Sequence, residues 1–286
     1  MSLDLFETVF KETFVLSDRR KKVGNYTLGR VLGKGAFATV RLGTHLLSGE
    51  SAAVKVVPKK SILQRDKALR RFSRELYALK RLDHTNIVRM REWMETDRNF
   101  YLVLSYINGD TLRQYLREVT RLSENETRRY FLQMTSAINY MHAQNILHRD
   151  IKLDNMVLQG GVKVVIVDFG LSIDVAYLDN PKMCGSPAYV APEILIRQTF
   201  TISADIWSLG ICLCYLVTGS HPFHMNSVSN DHHSNLYFKI LQGSILPSFL
   251  SEECRDLIKR MLSVDPVNRI TTEEILAHTW LSRLTS

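Results

Sequence analysis

From about Tyr26 to residue 107 the apolar residues recur mainly at strand spacing, with one helical stripe among them, and after Asn108-Gly109 mostly at helix spacing. That one change of period excludes most architectures. Tyr26–Leu32, Thr39–His45 and Ser51–Val57 are short, β-branched-rich runs separated by glycine-containing turns. Leu69, Phe72, Leu76 and Leu79 then form a helical stripe, and two more strands are expected around Val88–Glu95 and Phe100–Tyr106. The natural assembly is a five-stranded antiparallel sheet with one helix. Beyond Asn108-Gly109, Ser123-x-x-Glu126 reads as a capping box ahead of Phe131, Met134, Ile138 and Met141. Thr271-x-x-Glu274 does the same before Ile275 and Leu276. The pattern predicts an α+β chain: a small antiparallel β lobe with one main helix (24–107), then a larger, mostly helical lobe (108–286). The polar stretch His224–Asn235 reads as a surface loop.

Composition narrows the class without naming a function. With 45% apolar and 23% charged residues, the 286-residue chain is neither disordered, collagen-like nor coiled coil. A net charge of +8 suits anionic ligands or acidic surfaces, or simply a solvated basic face. Cys184, Cys212, Cys214 and Cys254 are too few for a disulfide framework and read as reduced thiols. The longest apolar run, Ile206 to Val217, is short of the ~20 residues of a membrane span and is expected as a buried helix. Residues 1–23 form an N-terminal extension. In it Leu3, Phe6, Phe10 and Phe14 recur at helical spacing ahead of Arg19-Arg20-Lys21-Lys22. They read either as an amphipathic helix packed on the body or as a docking or membrane-surface segment. Asp4, Glu7 and Glu12 argue against a secretory signal or an acid-poor transit peptide, so an intracellular location is expected, cytoplasmic or also nuclear.

Three segments carry chemistry. Gly33-Lys34-Gly35-Ala36-Phe37-Ala38-Thr39-Val40 lies between two expected strands, so it is neither a dinucleotide fingerprint nor a P-loop. Its backbone N–H groups could approach phosphates, though a plain hairpin turn explains it about as well. Lys55 stands inside the apolar strand Ala52–Val57, where an ammonium group needs a partner, and Glu75 on the following helix is the candidate. His148-Arg149-Asp150-Ile151-Lys152-Leu153-Asp154-Asn155, followed by Asp168-Phe169-Gly170, concentrates carboxylates and an amide at strand ends. Such density points to a cation or a proton-transfer site, and these oxygens suit magnesium.

Taken in order, these segments resemble the signature set of protein kinases: glycine-rich loop, Ala-Val-Lys, helix Glu, His-Arg-Asp-x-Lys-x-x-Asn, Asp-Phe-Gly and Ala191-Pro192-Glu193. Asp205-x-Trp207-x-x-Gly210 and Arg269 extend the likeness, which covers residues 24–282. The resemblance implies a bilobal protein-kinase fold and ATP with Mg2+ as cofactors. Gly33, Lys34 and Gly35 would cover the phosphates, with Ala38 where a third Gly often stands. Lys55, steadied by Glu75, would hold the α- and β-phosphates. Leu32, Val40, Ala53 and Val157 would flank the adenine, Ser105 and Ile107 would pair with it, and Leu104 would be the gatekeeper. Asp150 would take the acceptor proton, Lys152 would offset charge on the transferred group, and Asn155 with Asp168 would hold Mg2+. Leu79, Met90, His148 and Phe169 would stack as a spine, and Glu193 would pair with Arg269.

Lys152 and Ser186 resemble serine/threonine rather than tyrosine kinases. The string Gly185-Ser186-Pro187-x-Tyr189-x-Ala191-Pro192-Glu193 resembles the calmodulin-kinase-like group, in its AMP-activated-kinase-related or testis-specific branch. The implied partners are protein substrates with Ser or Thr acceptors and an upstream kinase or regulatory subunit; nucleic acid is not expected. A pseudokinase scaffold is the alternative. Two departures matter. Lys182 stands where the branch carries an activating Thr, leaving Arg149 to find another anion: Asp174 and Asp179 either supply it or are solvated. Thr111 stands where kinases preferring basic substrates often carry Glu, with Asp110 and Asp154 as remaining carboxylates. His232-His233 beside Asp231 is better explained by a polar loop than by a metal.

Overall fold

The computed structural model describes residues 22–35, 37–63, 65–178, 184–196, 198–223, 232–244 and 246–283. The extension up to residue 21, Ala36, Asp179, Lys182 and Asp231 lie outside this set. The chain divides into two compact units, Met1–Asn108 and Gly109–Ser286.

The first unit is an antiparallel sheet of β1 (Lys22–Val23), β2 (Tyr26–Lys34), β3 (Thr39–His45), β4 (Ser51–Pro58), β5 (Met90–Glu95) and β6 (Asn99–Ser105), in the order β1-β2-β3-β4-β6-β5. The two-residue β1 was not expected. Gly24, at φ 51°, turns the chain back so that Val23 pairs with Tyr26, and residues assigned to the extension join the sheet. Val23, Tyr26, Ala52, Val54, Met94, Tyr101 and Val103 pack on one face. Strand alternation then sends Ala53, Lys55 and Val57 to the opposite face, where they pair across with Leu104, Leu102 and Phe100. The Asp66–Arg81 helix covers that face: it buries Phe72, Leu76 and Leu79, and Phe72 stacks on Phe100 at 5.1 Å. Gly43 on β3 is required by packing, since a Cβ there would lie 2.6 Å from Val54 Cγ2.

The second unit is mostly helical. The Glu124–Ala143 helix begins at Ser123, whose hydroxyl accepts from the Glu126 amide. The expected reciprocal half is absent, because the Glu126 carboxylate accepts from the Tyr115 and Tyr130 hydroxyls instead. Thr271 and Glu274 do form a complete capping box. The Ile202–Thr218 helix buries its apolar run as expected and crosses the Glu252–Met261 helix at Gly210. There a Cβ would meet Met261 Cβ at 2.9 Å and Leu262 Cδ2 at 3.0 Å. No helix among the described residues is long and apolar enough to cross a membrane. The loop reading of His224–Asn235 is corrected from residue 232 onward: a helix runs over His232–Leu241. Leu236 and Ile240, four apart and both buried, anchor it, and the polar residues before them make its first turn.

Short strands carry the chemistry. Gly109–Thr111, Met156–Gln159 and Lys163–Ile166 form one small sheet, and Ile146–Leu147 pairs with Ile173–Asp174 in another.

Candidate active site

In the first unit, Lys55 Nζ lies 2.5 Å from Glu75 Oε1, with the Glu75 side chain almost fully buried. The strand register explains the encounter: Lys55 is on the helix-covered face, and Glu75 is on the buried side of that helix. The glycine turn is a hairpin. Gly33 pairs with Val40, Lys34 with Thr39, and the Gly35 amide donates to the Ala38 carbonyl at 2.8 Å. Among the described residues, a Cβ on Gly33 would meet nothing within 4 Å, and one on Gly35 only the Ala38 carbonyl oxygen at 3.7 Å. Packing among the described residues therefore does not demand either glycine. Ala53 and Leu104 are directly paired, Val40 lies opposite Lys55, and Leu32, Val40, Ala53, Leu104, Ser105 and Ile107 are all half-buried. The Ser105 amide is already committed to the Arg89 carbonyl at 2.9 Å. Leu79 and Met90 also belong to this unit; Val157, half-buried on the Met156–Gln159 strand, belongs to the second.

In the second unit a dense network surrounds Asp150. Its Oδ1 accepts from the Ser186 amide at 3.0 Å and the Ser186 hydroxyl at 2.9 Å. Its Oδ2 accepts from Lys152 Nζ at 2.7 Å and Asn155 Nδ2 at 3.1 Å. Lys152 also donates to Ser186 Oγ at 2.8 Å. Burial alone would raise the Asp150 pKa, but the Lys152 hydrogen bond and charge and the Ser186 hydroxyl outweigh it, and the net direction is downward. The carboxylate is held ionised and aimed.

The loop that carries it is strained. Arg149 and Asp168 take φ of 64° and 63°, a region costing roughly 1–3 kcal/mol for such residues. Asp205 holds the first of these: its Oδ2 accepts from the His148 amide and its Oδ1 from the Arg149 amide, each at 2.9 Å. His142 Nε2 sits 3.1 Å from Oδ2. Burial pushes the Asp205 pKa up, and the contact with His142, the nearby His148 and these amides more than reverse it. At Asp168 the side chain accepts from the Gly170 amide at 3.2 Å. His148, fully buried and with its pKa lowered by burial, packs its ring 5.1 Å from that of Phe169.

Asn155 Nδ2 also donates to the Asp150 carbonyl at 2.9 Å. The amide thus spends its donor side on Asp150 and keeps its oxygen for a ligand, and Asp168 adds an exposed carboxylate. No group of three His, Cys, Asp or Glu that could hold a metal exists among the described residues. An amide oxygen and one carboxylate fit Mg2+, which takes its other ligands from phosphates and water.

Glu193 and Arg269 pair as expected, at 2.8 and 2.9 Å in fork geometry and buried. Arg149 Nε donates to the Leu171 carbonyl at 2.7 Å, and its guanidinium lies over the Phe200 ring. Asp174 is buried and caps the Val175–Tyr177 turn through the Ala176 amide. Thr111 caps the Leu112–Val119 helix in a box with Gln114, which is what a Thr at that position does structurally. Two roles escaped the sequence reading: Ser186 as a partner of Asp150, and Asp205 with His142 as the anchor of the loop. Gly185 was the available signal for the first. At φ 95°, with a would-be Cβ 2.6 Å from the Arg149 carbonyl oxygen, it lets Ser186 approach Asp150.

Residues 26–281 match the family model described as the protein kinase domain. The chain belongs to the protein kinase domain family. It is also 39% identical over 266 residues to a "Probable serine/threonine-protein kinase MARK-A" of Dictyostelium discoideum. That match covers 91% of this chain and 24% of the relative, so this kinase domain spans about a quarter of the length of the curated protein it matches.

Proposed function

We propose that this kinase domain transfers the γ-phosphate of ATP-Mg to Ser and Thr hydroxyls of protein substrates. The observation that carries the reading is the Asp150 carboxylate, kept ionised and shared between Lys152, Asn155 and a serine hydroxyl at 2.9 Å. A substrate hydroxyl placed as the Ser186 hydroxyl is would be oriented by Asp150 and lose its proton to it. Lys152, already turned to the same point, would offset charge gathering on the acceptor and the transferred group. Bound ATP-Mg supplies the electrophilic phosphoryl group. On the protein's side, Lys55 steadied by Glu75 would hold the α- and β-phosphates, and Asn155 and Asp168 would hold Mg2+. Gly33 and Gly35 would let backbone approach the phosphates, with Lys34 between them. Leu32, Val40, Ala53, Leu104, Ser105, Ile107 and Val157 would receive the adenine. We further assign the chain to the calmodulin-kinase-like group, in the AMP-activated-kinase-related or testis-specific branch. The Gly-Ser-Pro string and the name of the relative support this. An upstream kinase or regulatory subunit and an intracellular location go with that assignment.

A labelled-ATP assay on a degenerate Ser/Thr peptide array tests the reading. Transfer by the wild type, abolished in Asp150→Asn with nucleotide affinity nearly intact, is expected. Nucleotide binding without transfer by the wild type would instead make the chain a pseudokinase scaffold.

A further inference from the structure

The positive charge of this protein is concentrated. Lys59 to Arg74 contains seven Lys or Arg and one acidic residue, a net +6 against +8 for the whole chain. On the Asp66–Arg81 helix, Lys67, Arg70, Arg71 and Arg74 stand at i, i+3, i+4 and i+7, which places them on one face. The buried residues Phe72, Leu76 and Leu79 take the other face, against the sheet. Lys67, Arg70 and Arg71 are exposed and make no hydrogen bond or ion pair among the described residues; Arg74 is half-buried. Of the carboxylates within a turn of the stripe, Glu75 is held by Lys55, and Asp66 forms no ion pair with Arg70. Like charges one turn apart destabilise a helix, so the stripe is a cost to the free protein that an anionic partner would relieve.

We propose that this face docks a phosphorylated segment of a partner protein. Arginine forks match phosphate oxygens two at a time, and a phosphate concentrates its charge as these side chains do. From Lys67 to Arg74 the helix rises ~10 Å, at about 1.5 Å per residue. An extended peptide covers that distance in about three residues, so two phosphates at that separation fit the stripe. Insertion into a bilayer interface would need an exposed apolar flank on the same helix, and the apolar flank here is buried against the sheet, which leaves a lipid surface only charge attraction.

The test uses the full chain and fluorescence anisotropy with a short Gly/Ala peptide carrying two phosphoserines three residues apart. Arg70→Gln/Arg71→Gln is the variant, since Gln keeps helix propensity at exposed positions and an unchanged melting curve verifies folding. The phosphopeptide is expected to bind, about tenfold more weakly in the double variant, and more weakly as salt rises from about 0.05 to about 0.5 M. No binding, equal affinity for the peptide with Ser or Glu in place of phosphoserine, or unchanged binding by the variant would overturn the proposal. So would tighter capture by phosphatidylserine vesicles or by an oligonucleotide.

Discussion

Arg269→Ala should unfold the helical unit at a markedly lower temperature. Arg269 donates to both oxygens of Glu193 and to the carbonyls of Ser203, Ser263 and Val264, and its guanidinium lies 5.1 Å from the Trp207 ring centre. Its side chain is fully buried and that of Glu193 nearly so. Truncation leaves a carboxylate without its cation and removes the Arg269 hydrogen bonds to three carbonyls. Breaking one side of a buried pair costs ~3–5 kcal/mol. For a unit of this size each kcal/mol moves the midpoint by about 2–4 °C, so a fall of roughly 6–20 °C is expected. Arg269→Lys, keeping the charge but losing the fork, should fall in between. Pairing Arg269→Met with Glu193→Leu should recover part of the loss, because an apolar pair leaves no orphaned charge. Differential scanning calorimetry of the full chain reads all three. A midpoint for Arg269→Ala within a degree of wild type would refute the argument, as would a double variant no better than the single one.

Two further outcomes follow from the same helical unit. Asp205 has a folded pKa below its ordinary value, so its stabilisation is present above the unfolded carboxylate pKa of ~3.9 and is lost as pH falls through the folded value. Asp205→Asn should therefore be less stable near neutrality, and its urea midpoint should fall less than that of wild type between about pH 5 and pH 3; parallel profiles would contradict this. Gly210→Ala should cost ~1–3 kcal/mol through overpacking against Met261 and Leu262, read as a lower urea midpoint at unchanged slope.

The sequence made the elements and the candidate reacting groups legible for different reasons. Strand and helix periods are local, so Tyr26, Ser51 and Leu69 announced their elements directly. Lys55 stood out because an ammonium in an apolar strand needs a partner, and Glu75 supplied it. What escaped was non-local or depended on a single backbone angle. Only Gly185 hints that the Ser186 hydroxyl reaches Asp150, and its φ of 95°, which makes that approach, is not written in the sequence. Glu126 fits a capping box on spacing alone, yet two tyrosine hydroxyls take its carboxylate. The Gly24 turn is likewise a matter of one positive φ, so the strand before it passed as part of the extension.

The clasp between Asp205 and the backbone of His148 and Arg149 also imposes an order of events. The groups that hold the left-handed turn at Arg149 lie 56 and 57 residues further along the chain. During synthesis from the N-terminus, the segment bearing Asp150 emerges well before the helix that will anchor it. A fragment ending ahead of Asp205 would contain Lys55, Glu75, Asp150, Lys152, Asn155 and Asp168 and still lack the means to aim Asp150. Its inventory of the proposed site side chains would be complete while its geometry was not. A truncation product of this kind would keep every candidate reacting group named above and lack, with the rest of the helical unit, the carboxylate that holds the Arg149 turn.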